Sequence, residues 1–392
     1  MSGSDVIRTI AFELGDVDTA DKAFSNTTSP SDFVYSRLHS PTVHDWERFV
    51  AGIEGAQSSV AVASGMAAID IALSICQQPD MSGPWLMPSD IYSGSRNYVR
   101  QIIEARRGIP VAWVEINQTE TASARLIQAI HEMRPSVVYL ETISNPWVSV
   151  IDGPAIVKAA KAAGARVIID NTLATPFLCK PLDWGADIVV HSATKYLGGH
   201  NDTLAGVIST NDPALYAELV AYRSLVGAVL SPDNAARLNG YSRTFELRVQ
   251  QQNQNAARIA AFLNDRPQIA KVHYPGLASP AQRALATKVL GGKGFGAILT
   301  FSLKGGRDAC QQFMKALDGR LPHLGTLGDV ETSLLHIESS FRAGFSTDAF
   351  RLSAGIEDSE TIIDALQPAL DALNKAGDPL GARRDTFMKL GS

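Results

Sequence analysis

The chain has 392 residues, 45% of them hydrophobic and 19% charged, with a formal net charge of −5. That exceeds the ~250–300 residues one hydrophobic core sustains, so a second domain is expected. The mildly acidic balance argues against nucleic-acid binding and against a polybasic membrane anchor. Apolar runs such as 167–169 and 188–190 fall far short of the ~20 residues a membrane span needs.

The first residues, Met1-Ser2-Gly3-Ser4-Asp5-Val6, lack the basic-then-apolar order of a signal peptide. Cys76, Cys179 and Cys310 share no metal or disulfide spacing and read as reduced thiols of a cytoplasmic protein. The eight histidines show no ligand pattern, so no metal is expected. Residues 1–55 are polar, with Ser-Asn-Thr-Thr-Ser-Pro at 25–30, and read as a loop-rich arm. From about 58 to 210, β-branched runs at 59–63, 84–87, 109–114, 136–140, 167–170, 188–191 and 205–209 predict strands. Segments at 67–76, 97–106, 122–131 and 155–162, apolar three and four apart, predict helices between them. Such alternation predicts a mostly parallel sheet buried on both faces. One long helix is expected over 232–264. Further strands are expected at 271–273, 297–301 and 350–353, and a last helix at 359–374. The domains are set at 56–245 and 246–392, after the arm.

In α/β sheets ligands bind beyond the carboxyl ends of the strands, so the polar residues there are informative. Val167-Ile168-Ile169 ends in Asp170-Asn171-Thr172, and Ile188-Val189-Val190 ends in His191-Ser192-Ala193-Thr194-Lys195. An acid and a lysine on adjacent strand ends are what a pyridoxal 5′-phosphate site requires. The lysine forms a Schiff base, and the carboxylate keeps the pyridine nitrogen protonated. Ser192 and Thr194 place hydroxyls on the same loop for a phosphate. Taken singly, a strand-end lysine is usually solvated, and a strand-end aspartate is usually a turn or cap residue. Their joint occurrence, in order, favours the site.

The block Asp170-Asn171-Thr172-Leu173-Ala174-Thr175-Pro176, Gly185-Ala186-Asp187 and His191-Ser192-Ala193-Thr194-Lys195-Tyr196-Leu197-Gly198-Gly199-His200 resembles the cystathionine γ-synthase and γ-lyase family of pyridoxal phosphate enzymes. Tyr35-Ser36-Arg37, Ala63-Ser64-Gly65-Met66, Glu141-Thr142 with Ser144-Asn145-Pro146, and Arg351-Leu352-Ser353-Ala354-Gly355 extend the resemblance over most of the chain. It implies the α/β fold type I of aspartate aminotransferase-like enzymes, with a smaller C-terminal α/β domain. It further implies Lys195 as Schiff-base lysine and proton shuttle, Asp170 on the pyridine nitrogen and Tyr92 stacked on the ring. Ser64, Gly65, Met66, Ser192 and Thr194 would seat the phosphate. Tyr35 and Arg37 would reach it from a neighbouring subunit of a homotetramer. Asn145 would meet the ring hydroxyl and substrate, Arg351 the substrate carboxylate, and Thr326 would keep a hydroxyl role.

The implied chemistry is γ-elimination or γ-replacement on an L-amino acid through a vinylglycine-type intermediate. Two features depart from the family pattern. Ser93-Gly94-Ser95 stands for Gly-Gly-Thr, and Gly325-Thr326-Leu327-Gly328-Asp329 stands for Glu-Ser-Leu-Gly-Gly. The acid at the distal end of the substrate is thereby replaced by Gly325, with Asp329 and Glu338 as acids that could restore a charge. The stretch His336-Ile337-Glu338-Ser339-Ser340-Phe341-Arg342 is also changed. A β-eliminating C–S lyase, a γ-lyase with an unusual leaving group and a catalytically silent pyridoxal phosphate-binding protein remain as alternatives.

Overall fold

The protein is seen in a computed structural model that describes residues 6–25, 33–78, 81, 83–116, 119–341 and 346–376. The first five residues, most of the polar run at 25–30, and Arg342 lie outside the described residues.

Two helices, α1 (Val17–Ser25) and α2 (Pro41–Glu54), lead into alternating elements: β1 (Ser58–Val62), α3 (Gly65–Ser74), β2 (Trp85–Pro88), α4 (Ser93–Tyr98), β3 (Val111–Val114), α5 (Thr119–Met133), β4 (Val137–Glu141), α6 (Gly153–Ala162), β5 (Arg166–Asp170), α7 (Thr175–Leu178), β6 (Ile188–Ser192) and β7 (Gly206–Thr210). Helices α8 (Pro213–Val226), α9 (Pro232–Ser242) and α10 (Phe245–Asn264) follow. The chain ends in β8 (Ile269–His273), α11 (Pro280–Val289), β9 (Ile298–Leu303), α12 (Gly306–Leu317), β10 (Ser333–His336), α13 (Ile337–Phe341), β11 (Ala349–Ser353) and α14 (Ser359–Ala376).

The first sheet has the order β1-β7-β6-β5-β4-β2-β3. The pairings from β6 to β3 are parallel, and β7 runs against both its neighbours. The carboxyl ends of β2, β4, β5 and β6 therefore share one edge. The near-continuous apolar runs of β4, β5 and β6 suit strands covered on both faces. Side chains alternate between faces. Val137, Tyr139, Ile168, Ile188 and Val190 pack in one cluster with α3, while Val138, Leu140, Val167, Ile169 and Val189 pack in another with α6. By that parity Glu141, Asp170 and Ser192 all emerge at the strand ends on the α3 face. The chain order thus delivers these polar side chains to the amino end of one helix. The second sheet, β10-β11-β9-β8, is antiparallel throughout. Its inner strand β11 carries Arg351.

Three expectations are corrected. The arm is not loop throughout, because α2 buries Trp46 and Val50 completely and its Glu47 accepts from Ala61 N at 2.7 Å. The apolar spacing missed here is Val43, Trp46 and Val50. The helix expected over 232–264 is two helices, interrupted at Arg243-Thr244. There the backbone tightens, with Arg243 N on Gly240 O and Thr244 N on Tyr241 O. The buried Arg248 also donates to Tyr241 O, at 3.2 Å, and to Tyr196 O, at 3.0 Å. Helical periodicity continues on both sides of the break, so the pattern alone does not reveal it. Finally, the segment expected as a helix over 97–106 starts as α4 and passes into a π-helical turn over Val99–Glu104.

Candidate functional site

A cavity of about 210 Å³ lies at the carboxyl edge of the first sheet. Ser64, Gly65, Met66, Tyr92, Asn145, Asp170, Ser192, Thr194, Lys195 and Arg351 all line it, with Gly325 and Leu327 either side of Thr326. Two larger cavities, about 510 Å³ beside Trp147 and His273 and about 640 Å³ beside His44 and Tyr216, are lined by no strand-end lysine or carboxylate. Chemistry, not volume, singles out the smaller one.

The lysine follows β6 directly. Lys195 Nζ donates to Thr326 Oγ1 at 3.0 Å. Burial, and then the charge of Arg351, bring its pKa down to about 8. Arg351 is itself 4% exposed, and burial lowers it to about 10. Its guanidinium donates to Asn145 Oδ1 at 3.2 Å and to Thr326 O at 2.8 Å, and its Nε has no partner. Its hydrogen-bond partners are thus neutral oxygens. A buried guanidinium without a counter-ion is costly, and it marks a place for an anion.

On the sheet side, Asp170 Oδ1 accepts from Thr172 N at 2.9 Å, and Tyr139 OH lies 3.4 Å from Oδ2. Burial raises its carboxyl above the usual range, against the hydrogen bonds from Thr172. Such a carboxylate gains from a nearby cation. Glu141 is its register partner on β4 and also lines the cavity. Burial, and then the charge of Asp170, push Glu141 well above the carboxylate range.

The anion seat is local backbone chemistry. Ser64 caps α3, its hydroxyl accepting from Ala67 N at 3.1 Å while its carbonyl takes Ala68 N. The N–H groups of Gly65 and Met66, in the first turn, have no intrahelical acceptor and face the favourable end of the helix dipole. Gly65 is required by closeness: a Cβ there would sit 2.6 Å from Ser192 Cβ and 2.7 Å from its Oγ. Ser192 N is held by Thr172 Oγ1 at 2.9 Å. Thr194 Oγ1 is shared with Ala205, accepting from its N at 3.1 Å and donating to its O at 3.2 Å. Across the mouth, Tyr92 is 42% exposed and lies over Gly94, where a Cβ would come 2.4 Å from the ring. The departure at Ser93-Gly94-Ser95 thus keeps the glycine that the ring needs.

Tyr35 and Arg37 do not line this cavity. The Arg37 guanidinium lies 5.8 Å from the Tyr35 ring and donates to Ser224 O at 2.7 Å. Of the acids that could replace a charge at Gly325, Asp329 Oδ1 accepts from Val330 N at 2.6 Å, and Glu338 is paired with Arg307. A Cβ at Gly325 would meet nothing within 4 Å, so the distal end is open. Sequence reasoning gave no role to Glu141, Thr172 or Tyr139. The period-two pattern of β4 and β5 was the signal for the first and last, since it puts them on the face of Asp170.

Residues 3–371 match the family described as Cys/Met metabolism PLP-dependent enzyme. An L-methionine gamma-lyase of Pseudomonas putida is 34% identical over 349 residues, covering 86% of this chain and 85% of the relative. A cystathionine beta-lyase of Lactococcus lactis is 32% identical over 351 residues, covering 87% and 89%. Among solved structures, a cystathionine gamma synthase from Xanthomonas oryzae superposes with a TM-score of 0.84 at 30% identity, covering 95% of this chain and 93% of that one.

Proposed function

Because this chain belongs to the PLP-dependent enzymes of Cys/Met metabolism, we propose that it eliminates or replaces the γ substituent of an L-amino acid, using pyridoxal 5′-phosphate carried by Lys195. The observation behind this is the convergence on one cavity of an amine held near neutral pH, a buried acid, a free helix amino end and an unpaired buried guanidinium. The cofactor, when bound, supplies an electron sink for carbanion chemistry. Asp170 would hold the ring nitrogen, which answers its need for a cation. Gly65 and Met66 amides, with Ser64, Ser192 and Thr194 about them, would seat the phosphate. Tyr92 would cover the ring, and Asn145 would meet its hydroxyl.

The residues then divide the work. Arg351, whose Nε has no partner, would take the substrate carboxylate as a bidentate fork. Asn145 and Thr326 fix the guanidinium through the 3.2 and 2.8 Å bonds above. With a pKa of about 8, roughly one Lys195 amine in ten is unprotonated at pH 7. Lys195 would accept the Cα proton, must hand that proton on before it can act again as a base, and would then accept the Cβ proton, the two transfers that departure of a γ group requires. Thr326 Oγ1 accepts from the free Lys195 Nζ at 3.0 Å, so it would hold the amine in place whenever the lysine is released from the cofactor.

The reading also divides the chain into an arm, 1–55, a cofactor domain, 56–245, and a C-terminal domain, 246–392. Tyr35 and Arg37 would complete a neighbouring subunit's phosphate seat in a homotetramer built of dimers. This is supported by the fact that neither lines its own cavity and by Leu204, which lines the cavity yet is 65% exposed. The three buried free thiols suit the cytoplasm. No described helix is long and apolar enough to cross a membrane.

The test is to load the protein with pyridoxal phosphate, reduce it with borohydride and map the modified peptide. Label on Lys195 supports the reading; no bound cofactor, or label on another lysine, refutes it. A panel of homoserine esters, γ-halo amino acids, cystathionine and β-substituted amino acids, with products read by mass spectrometry, then separates γ from β chemistry. Turnover of the β-substituted amino acids alone would replace γ with β elimination.

A further inference from the structure

Glu141 ends β4, lines the cavity, and is 7% exposed. Its Oε1 accepts from the Tyr92 main-chain N–H at 2.7 Å. The Asn145 main-chain N–H acts on the same carboxyl, drawing its pKa down against the effect of burial. These two residues stand on different loops, one after β2 and the other after β4. Tyr92 leads into α4, and its ring rests against the bare backbone of Gly94. Asn145 Oδ1 accepts from Arg351, whose Nη2 donates to Thr326 O, and Thr326 Oγ1 accepts from Lys195. A line of polar contacts thus runs from the aromatic cover, through Glu141, to the guanidinium and the lysine.

We propose that Glu141 is a positioning residue that ties the cover formed by Tyr92 to the Asn145–Arg351 clamp, acting as a hydrogen-bond acceptor of fixed reach. The inference rests on the functional reading above. Other acids near it are Asp170 on β5 and Asp90, whose Oδ2 accepts from Ser144 Oγ at 2.7 Å. A second full negative charge beside Asp170 would be repelled in this desolvated place. An uncharged side chain of the same length keeps the acceptor oxygen for the Tyr92 N–H. Asp170 then remains the carboxylate for the ring nitrogen, and Glu141 contributes geometry.

Reach and charge make opposite predictions for two conservative substitutions. Glu141→Gln keeps the length and an acceptor oxygen and removes the acid. Glu141→Asp keeps the carboxyl and withdraws its oxygens by one methylene, opening the bond from Tyr92 N–H. Apoenzyme is titrated with pyridoxal phosphate by absorbance, and kcat and KM are measured with the best substrate of the panel. Glu141→Gln is expected within about threefold of wild type in cofactor Kd and KM. Glu141→Asp should raise both by roughly tenfold or more, a change of about 1.4 kcal/mol each, with a melting temperature close to that of Glu141→Gln. Glu141→Asp matching or exceeding Glu141→Gln overturns the inference, as does wild-type behaviour in both. Wild-type protein that binds no cofactor would instead fail the functional reading itself, so the two failures are distinct.

Discussion

Replacing Gly65 by alanine adds one methyl at the closest approach between the phosphate seat and the sheet. Built on the present backbone, that carbon lies 2.6 Å from Ser192 Cβ, 2.7 Å from its Oγ and 3.0 Å from its Cα. A rotamer change can move the Oγ but not the Cβ or Cα, so α3 or the end of β6 must shift. Overpacking of this kind costs about 1–3 kcal/mol. The shift falls on the Gly65 and Met66 amides and on Ser192, the groups assigned to the phosphate. Each hydrogen bond to a charged group contributes about 1.5–3 kcal/mol, so weakening one should raise the cofactor Kd by roughly 10- to 100-fold. The assay is titration of apoenzyme with pyridoxal phosphate, followed by absorbance, beside thermal melting of the apoenzyme. Gly52→Ala is the control. A Cβ there meets nothing within 4 Å, and the residue lies inside α2. It should gain about 0.5–1 kcal/mol from helix propensity and leave the Kd unchanged. If Gly65→Ala binds cofactor within twofold of wild type, the close approach does not control the seat, whatever its melting temperature.

Three further outcomes are expected. Burial disfavours the protonated amine of Lys195 and brings its pKa below the ordinary lysine value to about 8. Capture of added cofactor by apoenzyme should therefore speed up as pH rises and level off above about pH 8. Arg351→Met removes the second cause of that shift and should move the midpoint upward; stopped-flow absorbance reads both. Subunits carrying Arg37→Ala and subunits carrying Lys195→Ala, each inactive alone, should regain activity when mixed and exchanged, and confirmed exchange without activity would remove the arm from the neighbour's site. Gly325 leaves the distal end open and without its own charge, so kcat/KM should favour compact neutral γ groups over cystathionine. Gly325→Glu should shift the ratio toward cystathionine by tenfold or more, about 1.4 kcal/mol; a wild-type preference for cystathionine would show that charge at 325 does not set specificity.

The legible part of the fold was the part governed by short-range pattern. Apolar runs ending in polar residues located β4, β5 and β6 to within one or two residues, and their order predicted the shared edge. What escaped depends on tertiary partners. Strand β10, Ser333–His336, has the sequence Ser-Leu-Leu-His, too short to show alternation, and is held by register against β11. The break between α9 and α10 is stabilised by Arg248, which reaches Tyr241 from one turn into the next helix and Tyr196 from across the fold. No local propensity encodes that.

The site divides in the same way. Asp170, Ser192 and Lys195 lie within 26 residues of one another along the chain, on strands that pair directly, so a linear reading could assemble them. Arg351, on β11 of the second sheet, and Thr326, 131 positions beyond Lys195, reach the site only through the fold, and the residue-type argument for them rested on resemblance. Glu141 shows the limit most clearly. A glutamate ending a buried strand, read alone, is a solvated cap, and nothing in Tyr-Leu-Glu-Thr indicates an acceptor for the Tyr92 amide 49 positions earlier. Its register opposite Asp170 makes the difference, because two desolvated carboxyls side by side disfavour two charges. The identities of neighbouring strand-end residues are therefore read best as pairs. On the proposed reading, Asp170 would keep its charge for a cation in the cavity, and Glu141 would serve as an acceptor beside it.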